Sequence, residues 1–425
     1  MPIETNTSKS LLHLLHLIVV LALAACSPGS RLAKQHPIRP DAPVGTESFK
    51  QAVSEVVGAD WISGNKVTSL VNGEAFFPAM LESIKNAKRT ITFETYAYIN
   101  GTAAYTFTQA LCERARKGVK IHMILDSVGS IEMGQANIDQ LRTAGVELHF
   151  YHPYSILRPL RYNTRDHRKI MVVDGKIGYI GGCGVADAWT GDAKTPKHWR
   201  ENHYKVTGPV VAQLQHAFHD NWVRVSGQTL SGPAYFPKLR PTGPHLAQCF
   251  ISAPKDNNFS VPHLYRQVIA SARQHIVIEN SYFIPDSSIM DEIFAARKRG
   301  VKVEVLVPGE HIDAWPVRSL ARSYYERLLR HGITIHEYQP TMMHCKVLVV
   351  DSHFVSIGSA NFDPRSMYIN DEANLNVLDR GFARQQLKLI EKDKKACKEI
   401  TNPPSRWNPL TLPRRLVAQL LAPQL

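Results

Sequence analysis

From about residue 60 onward, apolar and polar positions alternate between two periods. Ile121–Leu125 and Val301–Val307 are largely apolar runs, each after a Lys-Gly or Arg-Gly turn, which is the pattern of strands buried on both faces. The stretches before them, Phe107–Arg116 and Ile289–Arg297, carry apolar residues at helical spacing. The same blocks then recur. Residues 87–96 (AKRTITFETY) echo 272–281 (ARQHIVIENS), and 117–126 (KGVKIHMILD) echo 299–308 (RGVKVEVLVP). Residues 144–153 (AGVELHFYHP) echo 331–340 (HGITIHEYQP), and 167–182 echo 344–359. Four matched blocks in one fixed order predict two copies of a single α/β unit. They span residues 60–225 and 245–400, joined by a Gly- and Pro-rich linker over 226–244.

Ahead of the repeat, residues 11–25 form an apolar run broken only by His13 and His16. It is short for a membrane span and suits the core of a signal peptide. Its end, Leu23-Ala24-Ala25-Cys26, resembles a bacterial lipoprotein signal, in which small residues precede a cysteine that is lipidated; an ordinary cleaved signal or a marginal anchor helix is the other reading. Residues 26–59 are expected to be a tether. The lipoprotein resemblance implies a chain anchored at Cys26 in a bacterial envelope, facing the periplasm.

Composition narrows the partner. Fifty basic against 37 acidic residues leave a net charge of +13, which favours an anionic partner: nucleic acid, membrane surface or phosphorylated substrate. The charge is uneven. Residues 154–169 carry a net +4 and residues 379–425 a net +6. Two basic patches fit anionic lipid better than a uniform nucleic-acid coat, so no nucleic-acid partner is expected. Residues 401–425 include Pro413-Arg-Arg-Leu-Val-Ala-Gln-Leu-Leu421, an amphipathic segment that lies on a membrane or packs on the body. The loop over 154–166 grips headgroups or is simply solvated. The six cysteines are scattered, with no C-x-x-C, so neither a zinc site nor a disulfide framework is predicted.

The chemistry lies in one formula that occurs twice, His-x-Lys-x-x-x-x-Asp: His167, Lys169 and Asp174, then His344, Lys346 and Asp351. Residues two apart on a strand share a face, so His and Lys project together while four apolar residues behind them enter the core. Apposing two such strands gathers two imidazoles and two ammonium groups. A phosphodiester needs that set: one His attacks phosphorus, the other protonates the leaving oxygen, and the lysines hold the equatorial oxygens. No metal or other cofactor is called for.

This paired motif resembles the phospholipase D superfamily. The words Gly358-Ser-Ala-Asn-Phe-Asp-Pro-Arg-Ser366, Asn370 to Asn376, Phe93-Glu-Thr-Tyr96 and Glu279 to Pro285 make it similar to the bacterial cardiolipin synthase branch. The resemblance implies two pseudo-symmetric α-β-α sandwich halves with one active site at their interface. It implies His167 and His344 as nucleophile and general acid; the first-half histidine is the usual nucleophile, and the symmetry leaves the assignment open. Lys169 and Lys346 would bind phosphate, Ser359 and Asn361 would line the phosphate pocket, and Asp174 and Asp351 would complete the motif by holding the turn after the strand. Glu372 falls where the family places a carboxylate that orients the histidine, and Glu201 is its first-half counterpart. The first half departs from the pattern at Gly182 and Gly184, aligned with Ser359 and Asn361, where backbone N–H groups would have to replace side-chain donors. The implied reaction is phosphatidyl transfer between two phospholipids, with phosphatidylglycerol as acceptor, through a phosphohistidine. Hydrolysis by a phospholipase D, or an exported phosphodiesterase or nuclease, are the alternatives. Oligomeric state is not legible.

Overall fold

The computed structural model describes residues 37–153, 155 and 162–402. The first copy supplies β1 (Ile62–Val71), β2 (Thr90–Thr95), β3 (Lys120–Asp126), β4 (Glu147–Tyr151), β5 (Lys169–Val173), β6 (Ile177–Gly181) and β7 (Asn202–Thr207). The second supplies β8 (His245–Ser252), β9 (His275–Asn280), β10 (Lys302–Pro308), β11 (Thr334–Tyr338), β12 (Lys346–Val350), β13 (Phe354–Gly358) and β14 (Glu372–Leu378), with β15 (Cys397–Glu399) at the edge. All are hydrogen-bonded into one mixed sheet. Outward from the central β1–β8 seam the order is β1-β7-β6-β5-β2-β3-β4 on one side and β8-β14-β13-β12-β9-β10-β11 on the other. Every repeated sequence block supplies strands at the same place in each half, one strand from each of the first three blocks and two from the fourth. The seam itself is antiparallel, as a two-fold relation between copies requires, with Ile62 opposite Ala247.

Strands β2, β3 and β4 are mutually parallel and have helices Thr102–Arg116 and Gln135–Thr143 between them; β5, β6 and β7 return antiparallel. The second half repeats this with helices Ser287–Lys298 and Trp315–Arg330. The strand after each His-x-Lys pair is buried on both faces. Met171 and Val173 enter the first half's own core, and Ile170 and Val172 enter a cluster shared with the second half. On β12, Leu348 and Val350 face the second half's core, and Val347 and Val349 the shared one. That shared cluster also takes Leu214 from helix Val211–Ser226 and Phe382 from helix Arg380–Lys394, so the inner faces of both halves bury against common apolar surface.

One expected boundary is corrected. The tether assigned to residues 26–59 is folded in its described portion. Helix Glu47–Val57 starts at Thr46, whose Oγ1 accepts from Phe49 N at 3.2 Å, and ends at Gly58 with φ 66°. Phe49, Ala52, Val53, Val56 and Val57 recur at i, i+3, i+4, i+7 and i+8 and are buried in the second half's core. The linker is irregular yet pinned: Leu230 and Tyr235 pack on Trp222, and Tyr235 Oη lies 2.7 Å from His122 Nε2. Cys26, the apolar N-terminal run, most of the basic loop and the amphipathic tail beyond residue 402 lie outside the described residues. Among the described residues no helix is long and apolar enough to cross a membrane.

Candidate active site

His167 and His344, each two residues ahead of a buried lysine at the start of β5 or β12, line one cavity of about 570 Å³. Each histidine is held by the opposite half. His167 N donates to Asp371 O at 2.9 Å, and Asp371 N donates to Arg165 O at 2.9 Å. His344 N donates to Arg200 O at 2.7 Å, and Arg200 N donates to Met342 O at 2.8 Å. These reciprocal parallel bridges set the residue that follows, Glu372 or Glu201, beside the other half's imidazole. His167 Nδ1 lies 2.9 and 3.0 Å from the two oxygens of Glu372, and His344 Nδ1 lies 2.7 Å from Glu201 Oε2. The carboxylates therefore cross over: neither serves the histidine of its own half. A carboxylate oxygen accepts, so each Nδ1 carries the proton and each Nε2 keeps its lone pair, with Lys346 Nζ 3.3 Å from Nε2 of His344.

The supports behind each pair differ. Glu372 also accepts from Ser359 Oγ at 2.5 Å and Ser366 Oγ at 2.8 Å. Ser359, expected in the phosphate pocket, thus spends its hydroxyl on the orienting carboxylate; Asn361 does line the cavity. Glu201 accepts instead from the backbone N–H of Asn202 at 2.9 Å. The first-half glycines make room for protein. A Cβ at Gly182 would stand 2.4 Å from Glu201 Oε2, and one at Gly184 would stand 2.8 Å from Ala97 O and 3.2 Å from Trp189. The expectation that these glycines let a phosphate approach is replaced by that closer packing.

Lys169 Nζ donates to His167 O at 2.6 Å and sits 5.2 Å from the centroid of the Tyr96 ring. Lys346 Nζ donates to His344 O at 2.7 Å and to Ser281 Oγ at 2.5 Å. Burial dominates the electrostatics. It pushes Lys169 down to about 7 and lowers Lys346. Burial, then the two ammonium groups, hold both imidazoles far below the usual histidine range, which favours their neutral forms. Burial pushes Glu201 and Glu372 up to about 7 against the pull of the lysines. Lys169 and the two carboxylates are thereby brought near neutrality.

Asp174 and Asp351, grouped with the catalytic set by the motif, are not brought to the cavity. They sit past the far ends of β5 and β12 with φ 53° and 52°. Asp174 accepts from the backbone N–H groups of Lys88, Arg89 and Thr90, and Asp351 from those of Arg273, Gln274 and His275. Each carboxylate thereby ties its turn to the start of β2 or β9. Cys183 is buried, with Sγ 3.3 Å from His203 Nδ1. Among the described residues no group of three or more His, Cys, Asp or Glu is arranged to hold a metal ion.

Sequence reading missed the aromatic wall. Trp189 packs edge-on to His344 at 5.4 Å between centroids, and Trp199 lies tilted against it at 5.4 Å; Tyr96 takes the edge-on place beside His167 at 5.2 Å. It also missed Ser366. The clue was in the repeat: Trp189 and Ser366 occupy the same register, 177 residues apart, and differ completely.

The sequence and fold match known proteins. The family model described as "Cardiolipin synthase, PLD-like domain" matches residues 80–222 and 265–394. The chain is 33% identical over 364 residues to cardiolipin synthase 2 of Bacillus anthracis, covering 84% of this chain and 70% of that one. It is 34% identical over 348 residues to cardiolipin synthase A of Pseudomonas putida, covering 81% and 71%. Among solved structures, phosphatidylserine synthase of Haemophilus influenzae Rd KW20 superposes with a TM-score of 0.68 at 13% identity, over 89% of this chain and 100% of that one. With that fold, and with both halves covered by the family model, the chain belongs to the cardiolipin synthase family of phospholipase D-like enzymes.

Proposed function

We propose that the protein moves a phosphatidyl group from one phospholipid to the hydroxyl of another, with phosphatidylglycerol as acceptor and cardiolipin as product. The observation that carries this is the pair of crossed carboxylate–histidine contacts opening onto one cavity beside two buried lysines. The diester's anionic oxygens lodge between Lys169 and Lys346 and restore the charge that burial disfavours on them. The same anion offsets the repulsion that keeps the imidazoles neutral, so one of them takes up a proton on Nε2. The other attacks phosphorus through its Nε2 lone pair, and its Nδ1 proton stays on the carboxylate contact. A P–N bond forms, the P–O bond to the leaving alcohol breaks, and the protonated imidazole gives its proton to that oxygen. In the second step that imidazole, now neutral, accepts the proton of the incoming hydroxyl. The hydroxyl oxygen attacks phosphorus, and the P–N bond breaks.

The charge of residues 154–169 and 379–425 supports work at an anionic lipid surface, and the signal-like run ending at Cys26 supports a lipid anchor in a bacterial envelope. Labelled phosphatidylglycerol in mixed micelles tests the activity. Cardiolipin and free glycerol in equal amounts are expected, and acid-labile label on the protein should appear in the burst phase. Phosphatidic acid as the sole lipid product would make the enzyme a hydrolase. No product from any phospholipid would refute the reading.

A further inference from the structure

The catalytic core repeats by two-fold symmetry, but the cavity wall does not. Beside His167 the wall carries Arg165 and Arg365. In the 177-residue register of the repeat their counterparts are Met342 and Ala188, so the other copy offers neither charge. The facing wall, beside His344, is Trp189 and Trp199. A group that both copies need for holding the reacting phosphate would be expected in both; this pair is present once.

The two arginines are positioned differently. Arg365 is fixed by hydrogen bonds to Asn163 Oδ1 at 3.1 Å, Asn163 O at 2.6 Å and Asn370 Oδ1 at 3.2 Å. The Arg165 guanidinium lies over the Tyr162 ring, 4.5 Å from its centroid, and makes no hydrogen bond or ion pair among the described residues. Burial, then the charge of Arg165 nearby, hold Arg365 below its ordinary range. Two guanidiniums on one wall of the cavity repel one another, the carboxylates of Asp126 and Asp363 offset part of that repulsion, and an anion lodged between the arginines relieves the rest.

We propose that Arg165 and Arg365 form a second anion subsite, which binds the acceptor lipid's own phosphodiester while its terminal hydroxyl reaches the phosphohistidine. This rests on the transferase reading and sharpens it. Water and glycerol bring no phosphate and gain nothing from the subsite. An acceptor of the phosphatidylglycerol class carries one three carbons from its attacking oxygen. The pair thus favours lipid-to-lipid transfer over hydrolysis, and its Arg165 lies in the basic stretch leading into the first motif.

The test is a competition between acceptors on the full chain in detergent micelles. Phosphatidylglycerol is donor throughout. Cardiolipin reports the phosphate-bearing acceptor, and incorporation of radiolabelled free glycerol into phosphatidylglycerol reports the neutral one. Arg165→Met installs the residue that the other copy carries. It should lower the ratio of cardiolipin to glycerol exchange by roughly tenfold to a hundredfold, the range for losing charge-assisted hydrogen bonds to a phosphate. Arg165→Lys, which keeps the charge and loses the fork, should fall between. A ratio unchanged in both variants, or both activities falling together, would overturn the subsite. Wild-type protein that exchanges glycerol and makes no cardiolipin would instead overturn the transferase reading, so the two failures are separable.

Discussion

Replacing Glu372 by Gln tests the crossover most directly. The ring N–H of His167 is shared between both carboxylate oxygens, at 2.9 and 3.0 Å. Whichever way the Gln amide is turned, its NH2 therefore faces Nδ1. The NH2 sets donor against donor at that contact and the remaining carbonyl oxygen is a weaker acceptor, so the balance shifts toward the tautomer with the proton on Nε2, the atom that attacks or shuttles protons. The clash and the lost charge-assisted contact are together worth about 3–5 kcal/mol. The same substitution behind the histidine of a serine protease triad costs about 10⁴ in turnover through the same tautomer change. A loss of about 10³–10⁴ in kcat is expected, with folding intact because the two serines can still hold the amide. The ¹⁵N spectrum of histidine-labelled protein gives the specific readout. In Glu372→Gln the His167 resonances should switch tautomer while those of His344 stay; in Glu201→Gln the reverse holds. Rapid-quench capture of labelled protein then tells which imidazole forms the P–N bond. If Glu372→Gln perturbed His344 instead, or both histidines equally, the crossed assignment would be refuted.

Two further outcomes follow from the same residues. The value of kcat/KM should peak near neutrality: below about 7 the orienting carboxylates of Glu201 and Glu372 take up protons, and above about 7 Lys169 loses the charge that holds the diester. Lys169→Arg stays charged, so its alkaline limb should move up by more than one pH unit; an unmoved limb would assign it to another group. Gly184→Asn, which restores the residue aligned with Asn361, should lower Tm and activity, since its Cβ would meet Ala97 O at 2.8 Å and Trp189 at 3.2 Å; a more active variant would show that the wall is free to move.

Much of the architecture was legible in the sequence because the copies share strand period, turn residues and order; the four matched blocks became five strands in each half, at equivalent places. The gathering of two histidines and two lysines in one place was legible for the same reason. The crossover was not, because register aligns Glu372 with Glu201 and is silent on which half each side chain enters; only the bridges at Asp371 and Arg200 decide that. Helix Glu47–Val57 was missed because prolines nearby suggested a tether, although Phe49, Ala52, Val53 and Val56 already had helical spacing. The motif aspartates show a different limit. Their fixed spacing from the lysines is equally required by chemistry or by a turn, and the three backbone donors on each belong to a distant segment, 273–275 or 88–90.

The exchanged carboxylates also bear on synthesis. Translation delivers His167 and Lys169 long before Glu372 exists, and His344 waits unmade behind them. A half-emerged chain thus carries one imidazole with neither its orienting carboxylate nor the second histidine. Because the chemistry switches on only after residue 372 has docked, phospholipids near the growing chain stay safe from a partly built enzyme.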